Sequence, residues 1–310
     1  METNQEISNN EFKSGTINKK PLALLLLILT TILWGSTFII TKTIIQDVPI
    51  FFYLGMRYSI ALVGFAPYIV LLKKMSKQII LKGFISGVLY FISIATQTIG
   101  LETTTAGKAG FITGLNTIMV PFLAYILLKQ SFRKKVWLAA IISIIGMAFL
   151  FLEGEQGIIV GDIWVLICAF TCALFIIYND RVVKTVNVYL FSIMQLITII
   201  GFCFFFSFLL NESYNNISFT LDFWIIMLYM GIIVTTLTFL FQNWSQKHQN
   251  SATTAIIFSL EPVFALLFGF LLGGELLSPL GFTGSALILI AIFITVYKNK
   301  SNPKIRKENN

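Results

Sequence analysis

Residues 79–135 read IILKGFISGVLYFISIATQTIGLETTTAGKAGFITGLNTIMVPFLAYILLKQSFRKK. Two apolar runs, 79–101 and 104–128, flank a short link that carries Glu102. The stretch then ends in Lys129, Arg133, Lys134 and Lys135. A bilayer core about 30 Å thick is crossed by about 20 helical residues, and each run supplies that length. Helices this apolar joined by so short a link have to cross, turn and cross back. The runs lack the period-two alternation of half-buried strands. Since only helices and closed barrels satisfy the backbone in lipid, the reading is helical.

Working outward, the pattern recurs along the chain. The expected spans are 22–44, 49–72, 79–101, 104–128, 136–152, 161–179, 188–210, 220–242, 251–273 and 279–297. This predicts an all-α integral membrane protein of ten transmembrane helices. Composition agrees: 56% of the 310 residues are hydrophobic and only 12% are charged, whereas soluble domains are charged at about a quarter of positions. Residues 1–20 are polar and carry Glu2, Glu6 and Glu11, which does not suit the basic opening of a signal peptide. They are expected to form a disordered tail, and residues 299–310 a basic one.

Charge sets the direction of threading. Nineteen of the 22 lysines and arginines fall on one side of the ten-span arrangement, at positions such as Lys73, Lys74, Arg133, Lys134, Arg181, Lys184 and Arg306. The opposite side receives the acids Asp47, Glu102, Glu153, Glu155, Asp162, Glu212, Asp222 and Glu275. Positive loops stay inside, so both termini are expected in the cytoplasm of a multi-pass protein of the cell membrane. The net charge of +8 is thereby assigned to anionic lipid rather than to nucleic acid. Trp137, Trp164, Trp224 and Trp244 fall at span ends, as an interfacial belt requires. Trp34 alone is near mid-span.

The chain also lays onto itself. At an offset of 138, Met56-Arg57 falls on Met194-Gln195. At 145, Gln97 falls on Gln242 and Leu115-Asn116 on Leu260-Glu261. Five spans per half is an odd number, so the second half enters from the opposite side. Residues 21–152 and 153–298 are therefore expected to be inverted five-helix repeats, with a site between them near mid-depth.

Several strings are similar to those of a known family. They are Leu33-Trp34-Gly35-Ser36, Arg57-Tyr58, Gly107 through Leu115, Phe241 through Gln246, Ser259-Leu260-Glu261-Pro262-Val263-Phe264-Ala265, and Gly274-Glu275. Together they resemble the EamA-type transporters of the drug/metabolite transporter superfamily, over roughly residues 20–298. The resemblance implies ten helices in two inverted repeats around a central cavity. It also implies export or exchange of amino acids or other small metabolites without ATP. The chain departs from the pattern where Lys129-Gln130 stands opposite Gly274-Glu275, and where Pro121 lies four residues past the counterpart of Pro262.

Charges within spans are costly, about 2.5–3.5 kcal/mol each at mid-bilayer on insertion scales. Four occur: Lys42, Arg57, Lys108 and Glu261. Glu261 is about 15 Å into its span by helical rise. Pro262 beside it cannot donate to the Phe258 carbonyl and is expected to kink the helix; Pro121 is the second candidate kink. Glu261 reads either as a cavity carboxylate that binds a cation or carries a proton, or as a structural acid. Asn116, its counterpart, either orients a substrate or bonds a neighbouring helix. Arg57 suits a substrate carboxylate or a structural pair. Lys108 either lines the path or snorkels. Trp34 stacks on a substrate or packs in the core. Gln97 and Gln242 are gate residues or interfacial amides.

The function expected first is secondary transport of a small molecule by alternating access. A channel or non-transporting receptor is the alternative, though no filter loop or charge ring is seen. A membrane-embedded enzyme fits less well. His248 is the only histidine and falls in a polar loop, so neither a zinc site nor a nucleophile–histidine pair is expected. Cys168, Cys172 and Cys203 read as packed thiols. No metal, no cofactor and no nucleotide cradle are expected. A homo-oligomer is compatible with the sequence.

Overall fold

The computed structural model describes residues 19–104, 106–151, 159–214, 217–273 and 279–296. Expectations for the two tails, and for Glu153, Glu155 and Glu275, lie outside these residues. Among them no strand occurs. The elements are α1 (Lys20–Gly35), α2 (Thr37–Ile44), α3 (Ile50–Val63), a 3₁₀ segment (Ala66–Lys74), α4 (Lys77–Leu101), α5 (Ala106–Gly114), α6 (Asn116–Leu128) and α7 (Lys134–Phe151). There follow α8 (Val160–Val182), α9 (Val188–Leu209), α10 (Leu221–Leu228), a π-helical segment (Tyr229–Thr236), α11 (Leu237–Gln246), α12 (Ser251–Phe258), α13 (Glu261–Gly273) and α14 (Pro279–Val296).

Seven helical stretches are long and apolar enough to cross a bilayer. They are Lys20–Ile44, Lys77–Leu101, Lys108–Leu128, Val160–Val182, Val188–Leu209, Leu221–Gln246 and Ser251–Phe268. An eighth is obtained if α3 and the 3₁₀ segment form one span. The chain is thus a multi-pass membrane protein. Large apolar side chains such as Phe205, Phe208, Leu221 and Phe282 are exposed, as contact with lipid rather than water requires.

Capping starts many of these helices. Ser76, Asn187, Thr220 and Asn250 each accept a hydrogen bond from a first-turn amide of α4, α9, α10 and α12. This satisfies amides that have no partner within the helix. The start of α3 is capped from a distance. Glu212 accepts from the amides of Phe51 and Phe52 at 3.0 and 2.9 Å, where a negative charge also meets the positive end of the helix.

The expected span 49–72 is bent by 79° between α3 and the 3₁₀ segment. Pro67 explains the turn: it has no N–H for the Val63 carbonyl, and its ring disfavours α geometry at Ala66. The two flagged prolines sit differently in their helices. Pro121 lies inside α6, and the helix continues through it to Leu128. Pro262 is the second residue of α13, where a missing N–H costs nothing. The irregularity in that stretch falls just before it, at Ser259–Leu260.

Packing interleaves early and late parts of the chain. Helix α4 lies against α8 and α9, α3 against α9, and α7 against α14. Small residues allow the close approaches. A β-carbon on Gly87 would lie 2.6 Å from Thr198 Cβ and 2.9 Å from the Gln195 carbonyl oxygen. Gly83 and Gly87, four residues apart on one face of α4, are therefore where α4 meets α9. Stacked phenylalanines fill the junction of α3, α4 and α9: Phe51 on Phe206 at 5.5 Å and Phe91 on Phe202 at 5.3 Å.

Candidate functional site

A polar cavity lies between α1–α2, α3, α4, α5, α8 and α13. It is lined by Trp34, Thr37, Arg57, Tyr90, Ser93, Gln97, Thr113, Cys168, Cys172 and Glu261. Its volume is about 40 Å³, room for a few water molecules. Four residues singled out in the sequence thus share one wall: Trp34, Arg57, Gln97 and Glu261. Three lie on different elements from one another and from Glu261, so only the fold brings them together.

Glu261 is the first residue of α13 and is buried. Among the described residues it is in no ion pair. Its position at a helix start places the carboxylate at the positive end of the dipole. Arg57 is buried on α3. Its Nε donates to Thr235 Oγ1 at 2.9 Å, and its guanidinium lies 5.6 Å from the centre of the Tyr58 ring. Arg57 and Glu261 therefore present a guanidinium and a carboxyl group to one cavity without closing an ion pair on each other.

The remaining lining residues set the walls. Trp34 leans on Phe258, ring centres 4.8 Å apart. Gln97 Nε2 donates to Thr113 Oγ1 at 3.1 Å, tying α4 to α5. Ser93 Oγ lies 3.4 Å from Cys168 Sγ. No group of three or more His, Cys, Asp or Glu suited to a metal occurs among the described residues.

Three flagged residues lie outside this lining. Lys108 forms an ion pair with Asp162 at 2.5 Å, and Thr104 Oγ1 donates to the other Asp162 oxygen at 2.7 Å. Asn116 opens α6, as Glu261 opens α13. Its Nδ2 donates to the Thr113 carbonyl at 2.8 Å, while its buried Oδ1 has no partner among the described residues. Gln242 is buried on α11, and its Nε2 has no partner among them either.

A second polar group was not anticipated. Asn179 Nδ2 donates to Asn243 Oδ1 at 2.8 Å, and Asn243 Nδ2 donates to Gln195 Oε1 at 2.7 Å and to Ser192 Oγ at 2.8 Å. Gln195 Nε2 donates to Ser86 Oγ at 2.7 Å, and Ser86 Oγ donates to Asn179 Oδ1 at 2.5 Å. All five side chains are buried. They tie α4, α8, α9 and α11 together near the ends that meet the basic loops. The alignment of Arg57 with Gln195 was the one sequence signal that pointed here. Thr235 was missed as well; it lies in the π-helical segment, a local geometry that often accompanies function.

Interleaved apolar helices around a small cavity define a multi-pass membrane fold. The comparisons agree. The model of the EamA-like transporter family matches residues 21–152 and again 159–297. An uncharacterized transporter of Archaeoglobus fulgidus is 30% identical over 86% of this chain and 83% of its own length. The uncharacterized transporter YetK of Bacillus subtilis is 23% identical over 86% and 84%. A crystal structure of a protein 14% identical superposes with a TM-score of 0.74 over 91% of this chain and 99% of its own, a likeness of fold. The chain belongs to the EamA-like transporter family. A membrane-spanning transporter implies a small-molecule substrate and a lipid bilayer as its surroundings.

Proposed function

We propose that the protein is a secondary transporter of zwitterionic small metabolites, amino acids foremost, and that it exports or exchanges them across the cell membrane by alternating access. The observation that carries this reading is a guanidinium and a carboxyl group, those of Arg57 and Glu261, lining one cavity without an ion pair between them. A buried carboxyl group with no cation beside it favours its neutral form, and an arriving ammonium group favours the ionised one. A solute bearing a carboxylate and an ammonium group matches the two side chains, once the cavity, about 40 Å³ in this conformation, widens to admit it. Arg57 takes the carboxylate in a two-pronged hydrogen bond; Glu261 takes the ammonium, or a proton in its absence. Trp34 covers the solute's side chain, and Gln97 with Thr113 guards the mouth. Lys108 and Gln242 support the helices around the path, and Asn116 offers its free carbonyl oxygen from the adjoining helix start.

The reading includes ten spans in two inverted halves with both termini cytoplasmic. Two features favour it. The family model matches the chain twice in succession. Asn116 and Glu261, paired by the 145-residue offset, each open the second piece of an interrupted stretch. Such discontinuous helices at the midplane suit a transport site. The cavity lies toward the ends that meet the acidic loops, and the buried amide group lies between it and the basic ends. In this conformation the basic side is therefore shut, and transport requires those amides to part.

The test is growth of cells overproducing the protein on a panel of toxic amino acids and analogues. Raised tolerance to at least one zwitterionic analogue, lost in Arg57→Gln, is the expected result. Unchanged tolerance across the panel overturns the amino-acid reading.

A further inference from the structure

A second cavity opens between α4, the end of α6 and the last turns of α8. It is larger, about 510 Å³. Its lining is Leu89, Leu127, Leu128, Leu174, Ile177 and Val182, with Tyr178 beside them and Lys82, Thr185 and Arg181 at one end. The layout is graded along the helices. On α4 the lining runs from Lys82 to Leu89, and on α8 from Arg181 back to Leu174; seven residues of α-helix span about 10 Å. Both helices thus place a cation at the end that meets the basic loops and a leucine about 10 Å deeper.

Among the described residues neither Lys82 nor Arg181 is in an ion pair. Lys82 Nζ donates to Thr185 Oγ1 at 3.0 Å, which holds it at the rim. Asp180, next to Arg181 in sequence, is buried and bound at 2.7 Å by Lys184, and the Arg181 charge acts on it from farther off. No carboxylate lines the groove. Lys73, Lys74 and Lys77 lie at the same end of α4 and add positive potential. The apolar stretch beyond is of no use to a soluble anion, which would pay desolvation to enter it.

We propose that this groove binds an anionic phospholipid of the leaflet on the basic side, with its phosphate held by Lys82, Arg181 and Thr185 and an acyl chain laid along Leu174, Ile177 and Leu89. Charge and shape both select this occupant. The cations face the leaflet that is rich in anionic lipid when the basic side is cytoplasmic, an orientation taken from the proposed function. The groove joins α8 to α4, which Asn179 and Ser86 also join through the buried amides. A bound lipid therefore braces the contact that shuts the basic side.

The test is native mass spectrometry of the purified full chain, released from micelles containing phosphatidylglycerol and phosphatidylcholine in equal amounts. One phosphatidylglycerol is expected to be retained about tenfold or more over phosphatidylcholine. The double variant Lys82→Gln/Arg181→Gln is expected to lose that preference with its thermal midpoint in phosphatidylcholine unchanged. Leu174→Trp, which fills the apolar end and leaves both cations, is expected to lose the retained lipid. Millimolar glycerol phosphate, the head without chains, is expected to displace nothing. Equal retention of the two lipids, a preference that survives the double variant, or displacement by glycerol phosphate overturns the proposal. None of these readouts requires transport, so failure here is distinct from failure of the carrier reading.

Discussion

Arg57 is held in the cavity wall by Thr235. Its Nε donates to the Thr235 hydroxyl oxygen at 2.9 Å, and that hydroxyl donates onward to the Met230 carbonyl at 2.7 Å. The second bond spans five residues within the π-helical segment, so the local widening of the helix is what turns the hydroxyl oxygen toward Arg57.

Thr235→Val removes the hydroxyl at nearly constant volume. A hydrogen bond to a charged group contributes about 1.5–3 kcal/mol, so the half-saturating substrate concentration in vesicle uptake is expected to rise on the order of tenfold. Arg57→Lys, which keeps charge but loses the two-pronged geometry, is expected to impair uptake by at least as much. Uptake indistinguishable from wild type in both variants removes Arg57 from the binding site.

Glu261→Gln separates coupling from binding. If Glu261 carries the driving proton, the glutamine variant abolishes pH-driven flux and leaves solute-for-solute exchange in place. Proteoliposomes with and without an imposed pH gradient report this. Undiminished pH-driven flux contradicts a proton-carrying role.

Lys108 and Asp162 provide a contrast with the cavity residues. Breaking a buried ion pair from one side costs about 3–5 kcal/mol. Lys108→Gln is expected to lower the thermal midpoint in detergent while leaving the half-saturating concentration within about twofold of wild type, a change no larger than about 0.4 kcal/mol. A large change in affinity with stability preserved returns Lys108 to the substrate path.

The amide group near the basic ends makes a prediction of its own. Asn243→Ala deprives Asn179, Gln195 and Ser192 of partners at once. Each orphaned buried group costs about 1–3 kcal/mol. The variant is expected to melt earlier, and a cysteine placed at Thr254 is expected to react faster with a thiol reagent from the basic side. Unchanged melting and labelling contradict the role of these amides in closing that side.

Gly87 tests the helix contact directly. Overpacking costs about 1–3 kcal/mol, and the β-carbon at this position meets the Gln195 carbonyl, a backbone atom that yields little. Gly87→Val is expected to lower stability. Gly201→Ala, where a β-carbon meets nothing within 4 Å, is expected to leave it unchanged. Circular dichroism melts of both variants compare them.

The membrane-spanning helical character was legible because apolar runs of the right length and a one-sided charge distribution are written in linear order. Trp34, Arg57, Gln97 and Glu261 were legible for a related reason: polar or bulky groups are conspicuous in an apolar run, and they converge on one cavity. The bend after Val63 was not read. Its signal, Gly64 and Pro67, sits within a run whose length alone suggests one straight helix. The partner of Lys108 was hidden because Asp162 was counted among loop acids, and the pairing spans more than fifty residues of sequence. The amide group was hidden for the same reason. Ser86, Asn179, Gln195 and Asn243 are single polar residues on separate helices, and only packing shows that they meet. Leucine side chains such as Leu89 and Leu174 carry no sequence signal that distinguishes a groove from a core.

Counterflow in proteoliposomes tests the central claim most directly. Vesicles loaded with an unlabelled amino acid and diluted into a trace of the labelled one are expected to accumulate label transiently above equilibrium. The overshoot is expected to vanish in Arg57→Gln and to saturate with external substrate. Label entry that rises linearly with concentration, shows no overshoot and persists in Arg57→Gln would contradict a carrier built around Arg57 and Glu261.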